Sequence, residues 1–237
     1  MMNKNYDFDD IRKAISDKID TPTGKLIRSG AVGAVGIVNQ IAGVAAGIGD
    51  SIVEQWNTFK FSLLLNGLST GLNVEKRLNQ LYNFVTDSSE KAIHVANLFK
   101  QTVNAECPKA CVIYGLILAD HVEKNTAFTH DEMIVCKALA NATDYDLENF
   151  KTIMEKYTQP RSSGDRVVFP EGFSEIESYA TTCDWAVFNR IFFSRMGEWE
   201  KLGEGTLDIS THYYTGNPAP VLLEYIKKAR QVWNYGS

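Results

Sequence analysis

Cys107-Pro108-Lys109-Ala110-Cys111-Val112-Ile113-Tyr114-Gly115-Leu116-Ile117-Leu118-Ala119-Asp120-His121 is the stretch that decides the fold of this 237-residue chain. Proline directly after Cys107 suits the first position of a helix, where its missing N–H is no loss. From Ala110 to Ala119 nearly every side chain is apolar, so no face of that helix is left for water. A helix that is apolar all round belongs at the centre of a bundle.

Helical periodicity continues on both sides of this centre. Upstream, Phe59, Leu63, Leu64 and Leu68 form one stripe, with Asn66-Gly67 and Gly71 expected to break it. Val74, Leu78, Leu81, Tyr82 and Val85 form the next. Asp87-Ser88-Ser89-Glu90 has the pattern of an N-cap with a trailing carboxylate, and Ile93, Ala96, Leu98, Phe99 and Val103 follow it. At the front, Phe8, Ile11, Ile15 and Ile19 recur at steps of three and four and predict a helix over 7–20. Pro22 ends it. Downstream, Thr129-His130-Asp131 and Thr143-Asp144 cap two short helices, the second carrying Leu147, Phe150, Ile153, Met154 and Tyr157.

Residues 158–172, TQPRSSGDRVVFPEG, shift to proline, serine, glycine and charge and are expected to be a linker or loop. Beyond it, 173–181 and 184–196 suit two helices, the latter closed by Gly197. Trp199–Leu202 and Leu207–Tyr214 suit two strands around Gly203 and Gly205. Pro218 and Pro220 open a last helix with Leu222, Leu223, Ile226, Ala229 and Trp233. Helix, turn, helix, hairpin, helix is the order of a winged-helix-like unit. The expected fold is therefore mainly α: a helical bundle over 1–157, a linker over 158–172, and a small α+β winged-helix-like lobe over 173–237.

Residues 30–50 form the least ordinary segment. Gly33, Gly36, Gly43 and Gly47 are interleaved with Val44 and other small apolar residues, and Asn39 and Gln40 are the only polar side chains between Ala31 and Gly49. The length is close to the roughly 20 residues that cross a bilayer core, and Gly43-x-x-x-Gly47 permits close helix contact. Each mid-helix glycine, however, costs on the order of 1 kcal/mol relative to alanine in water. Three readings stay open: a glycine-rich hairpin or helix packed inside the bundle, a segment that inserts into or lies on membrane, and a mobile or loosely ordered segment.

Composition narrows the function. A 44% hydrophobic content with 11% aromatics supports a real core, and the net charge of −5 argues against nucleic acid as a partner. MMNKNYDFDD has no signal-peptide pattern, so Cys107, Cys111, Cys136 and Cys183 are expected as thiols of a reducing cytosol. Cys107 and Cys111 share a helical face, but no paired spacing supplies further metal ligands, and burial as small apolar residues accounts for them better. His94, His121, His130 and His212 are scattered. No Walker loop, dinucleotide fingerprint, nucleophile elbow or HExxH occurs. The expectation is a non-enzymatic chain without metal, cofactor or small-molecule substrate.

In the C-terminal lobe, Trp185, Phe188, Arg190, Phe192 and Arg195 lie on the helix that a DNA-binding winged helix would use for recognition. That helix is apolar on more than one side, and Glu198, Glu200, Glu204 and Asp208 would repel phosphates. Protein docking is the better reading. The chain resembles a broad set of uncharacterised bacterial helical proteins with a glycine-rich apolar N-terminal segment and a winged-helix-like C-terminal lobe. The resemblance rests on Gly43 to Glu54, Glu75-Lys76-Arg77-Leu78, Phe128 to Phe150, Trp185 to Met196 and His212 to Thr215. It implies an accessory or antiphage setting and carries no catalytic residue. The expected role is a regulatory or adaptor protein that binds another protein and forms a homo-oligomer. The alternatives are a membrane-active effector inserting 31–49, and a DNA-binding transcriptional regulator.

Overall fold

The computed structural model describes residues 6–21, 52–156, 158–159, 166–170, 193–203, 206–215 and 217–234, the strands by their backbone pairing. Among them the chain is mainly helical: α1 (Phe8–Ile19), α2 (Ile52–Leu68), α3 (Val74–Asp87), α4 (Ser89–Asn104), α5 (Pro108–Lys124), α6 (His130–Leu139), α7 (Asp144–Lys156) and α8 (Pro218–Asn234). Among the described residues, two short strands, β1 (Thr158–Gln159) and β2 (Arg166–Pro170), and two long ones, β3 (Phe193–Gly203) and β4 (Thr206–Thr215), pair antiparallel in the order β1-β2-β4-β3. The chain divides into two compact units, Met1–His130 with Lys228–Ser237, and Asp131–Lys227.

In the first unit the core forms around α5, whose residues from Ala110 to Ala119 are all buried. The helix begins as its sequence requires. The Cys107 sulfur, as N-cap, accepts from the Ala110 N–H at 3.3 Å, and Pro108 follows it. It ends at Asn125, whose φ of 53° places it in the left-handed region that asparagine tolerates. The closest neighbour of α5 is α2, and glycine sets how close. A Cβ on Gly67 would lie 2.2 Å from the Val112 carbonyl oxygen, and one on Gly115 would lie 2.1 Å from that of Leu64. The two helices therefore touch backbone to backbone. Gly67 does not break α2, as its sequence neighbourhood suggested; the chain leaves the helix only after Leu68 and turns at Gly71, with φ of 74°.

The other helices cover this pair. Ile11, Ile15 and Ile19 of α1 are buried, and α1 packs on α3 and α4. Phe8, Phe61 and Phe99 knit α1, α2 and α4 together, with ring centroids 5.7–6.4 Å apart. The cap of α4 lies one residue later than its sequence pattern, at Ser88 rather than Asp87. Asp7 and Asp10 form a reciprocal capping box on α1, and the Ser88 hydroxyl accepts from the Lys91 N–H. In the second unit, the Thr143 N–H and hydroxyl both donate to the Asp146 carboxylate at 2.7 Å. Asp146 is thus a buried helix-starting residue.

Two finer expectations are corrected. The stretch taken for a linker, 158–172, contains β1 and β2. Residues 193–196, taken for the end of a helix, begin β3 instead, and Gly197 sits at a register shift between Arg195 and Gly197 rather than closing a helix. An apolar run such as 185–196 fits a helix and a strand about equally by periodicity, and glycine inside a strand marks a bulge. The hairpin itself pairs Gly203 with Thr206 and continues to Phe193 opposite Thr215. A winged-helix-like lobe finds no support: the expected helix at 173–181 and residues 184–192 of the one expected at 184–196 lie outside the described residues, and the strands found belong to a sheet that starts before them.

Candidate functional site

The residues singled out for membrane insertion or packing, Gly33, Gly36, Gly43, Val44 and Gly47, lie outside the described residues, as do Trp185, Phe188, Arg190 and Phe192. Arg195 lies on β3 opposite Tyr213 of β4. Three other arrangements in the first unit come forward as candidates.

The first is an exposed aromatic pair. Trp56 and Phe59, one turn apart on α2, are 42% and 41% exposed and keep their ring centroids 5.5 Å apart. Lys60 follows them but is buried; its ammonium donates to the Val103 carbonyl at 2.7 Å and lies 5.5 Å from the Trp56 ring centroid. Burial lowers the Lys60 pKa, while Cys111 and Glu106 pull it back up. Cys111 itself, buried beside it, is pushed up to about 12 by burial. A thiol held in that range stays protonated near neutral pH. Cys107, Cys111 and Cys136 form no disulfide, and among the described residues no group of three or more His, Cys, Asp or Glu is placed to hold a metal.

The second is a buried ring stack. Phe128 lies between His94 of α4 and His121 of α5, with centroids at 5.4 and 4.5 Å. Thr126 bonds His121 Nδ1 through its carbonyl and hydroxyl oxygens, each at 3.0 Å. Nearby, the Lys91 ammonium donates to the carbonyl and side-chain oxygens of Asn125 at 3.0 and 2.9 Å, tying α4 to the end of α5. Burial holds His94 below its ordinary value; Glu90 pulls it up and His121 pushes it further down. On unfolding His94 returns toward 6.5, so between that value and the lower folded one the unfolded chain binds more protons. Stability is complete above pH 6.5 and declines as pH falls below it. The urea midpoint is expected to drop between pH 7.5 and 5.5, by more in the wild type than in His94→Gln, with near-parallel profiles as the contrary result.

The third is a cleft of about 650 Å³ lined by the end of α2, the start of α3, α5 and the last turns of α8. Leu116 and Ala119 give it an apolar wall. Two charge pairs line it: Lys228 with Asp120, 3.1 Å apart, and Arg77 with Glu123, 3.6 Å apart. Arg77 is only 4% exposed, although it is charged. The sequence held a signal for this. Arg77 precedes Leu81 by one helical turn and Phe84 by two, so it lies on the buried face of α3 among Leu81, Phe84 and Val85. Val74, counted in that stripe, is instead 43% exposed.

No helix among the described residues is long and apolar enough to cross a membrane. Comparison with protein-family models, curated proteins and solved structures finds no match to this chain.

Proposed function

We propose that this chain is a non-enzymatic regulatory or adaptor protein that works by protein–protein contact and associates with a second copy of itself. The observation that carries the reading is the Trp56–Phe59 pair, two large rings held against each other yet more than 40% exposed. Aromatic side chains that stay in water in the free protein are the residues that most often anchor interfaces, because they bury large area for little lost rotamer entropy. The Lys60 ammonium near the Trp56 ring, anchored from below, holds the indole in place before any partner arrives.

Sedimentation velocity on the full chain and on a Trp56→Ser, Phe59→Ser double variant tests this. The wild type is expected to self-associate and the double variant to run as the monomer. A wild type that stays monomeric up to ~100 µM, where an interface of only about 5.5 kcal/mol would be half formed, overturns the reading.

A second reading has one observation in its favour. The exposed Trp56 and Phe59 lie within about three helical turns of the end of the apolar stretch 31–49, beyond Asp50 and Glu54, and aromatic residues near an apolar segment mark membrane–water boundaries. Under that reading, residues 31–49 insert into lipid. Flotation of the protein with phosphatidylglycerol-containing vesicles, abolished by Val44→Asp, would favour it over self-association.

A further inference from the structure

A guanidinium almost wholly removed from water needs its charge answered nearby, because desolvating an ion costs several kcal/mol unless good partners replace the water. Arg77 is poorly answered. Of its five N–H donors, Nη1 makes one well-formed bond, to the Gln80 side-chain oxygen at 3.0 Å. Nη2 reaches the Thr70 carbonyl at 3.5 Å and the Glu123 carboxylate at 3.6 Å, both longer than the roughly 2.7–2.9 Å of a charge-assisted bond. Nε is buried with no hydrogen-bond partner among the described residues. Glu123, the nearest carboxylate, is 69% exposed, so water screens most of its pull. Lys228, the other cation of the cleft, already holds Asp120.

The residue lacking an anion is therefore also a residue lining a cleft of about 650 Å³. We infer that this cleft binds a small organic anion: a carboxylate or phosphate group on the Arg77 guanidinium in place of Glu123, with an apolar body against Leu116 and Ala119. Planar guanidinium donors suit both acid groups, and Glu123, being exposed, can swing into solvent to make room. The net charge of −5 offers no long-range attraction, so selectivity rests on these local contacts. Neither self-association nor membrane insertion requires this site.

The test titrates the full-length protein with hexanoate, acetate and inorganic phosphate at constant ionic strength, following the Arg77 Nε–Hε NMR resonance and calorimetric affinity. At least one probe is expected to shift that resonance, with hexanoate tighter than acetate because of the apolar wall. Glu123→Gln, which removes the competing carboxylate without touching the core, is expected to tighten binding severalfold. Arg77→Lys, checked for folding by circular dichroism, is expected to weaken it about tenfold, as fits loss of a charge-assisted pair. Hexanoate alone binding assigns a carboxylate, and phosphate alone binding assigns a phosphate group. No shift with any probe at ~10 mM, or affinities indifferent to Glu123→Gln, overturns the inference.

Discussion

Gly115→Ala is expected to lower the melting temperature by about 6–12 °C, since 1 kcal/mol corresponds to about 2–4 °C in a chain of this size and the added methyl costs about 3 kcal/mol. The direction is opposite to the ordinary one. In an exposed helix interior the same change stabilises by on the order of 1 kcal/mol, because alanine loses less backbone entropy than glycine. Here the new Cβ would stand 2.1 Å from the Leu64 carbonyl oxygen and 2.7 Å from the Leu68 backbone nitrogen. Backbone atoms cannot rotate away as a side chain can, so α2 and α5 must move apart and lose packing along their contact. Gly67→Ala meets Val112 from the other side at 2.2 Å and is expected to behave alike. Because both changes force the same separation, the double variant should lose clearly less than the sum. Thermal melts followed by circular dichroism measure this, and a stabilised or unchanged Gly115→Ala would refute the backbone contact.

Phe99→Ala is expected to cost about 3–5 kcal/mol, the range for emptying a fully buried aromatic position. Phe99 is 0% exposed and is the member of the phenylalanine trio that meets both others, Phe8 at 6.0 Å and Phe61 at 5.7 Å. Its removal takes away the ring by which α4 holds α1 and α2. Phe99→Leu, which refills much of the volume, should cost about 1–2 kcal/mol. Urea unfolding of the three proteins measures the difference. Equal losses in both variants would show that the position is not packed as described.

How far the sequence could be read depended on how local the cause was. The stripe Ile11, Ile15, Ile19, the apolar run of α5 and the cap at Thr143 were legible, because each is set by residues within a turn or two of one another. Gly67 was not. Its neighbourhood has the composition of a helix break, and only the arrival of α5, some 48 positions on, makes glycine necessary inside a continuous helix. Arg77 was half legible: its position on the buried face of α3 stands in the sequence, while the cleft beside it requires α8, whose contributing residues begin at Lys228. The phenylalanine between His94 and His121 had no local mark at all, since its partners lie on two different helices. The end of the expected helix at 184–196 was misread where local signals conflict, for an apolar run can satisfy the helical and the extended period together.

By itself, then, the chain's order of residues determined that it is mainly helical, where most of its helices start, and which stripe of each turns inward. Apolar spacing and capping act over a few residues and need no distant partner. Only the tertiary structure decided how near α2 comes to α5, which charged group is sealed beneath the surface, and where a cleft opens. Those depend on atoms that meet across tens of residues, and close packing leaves each of them a single arrangement.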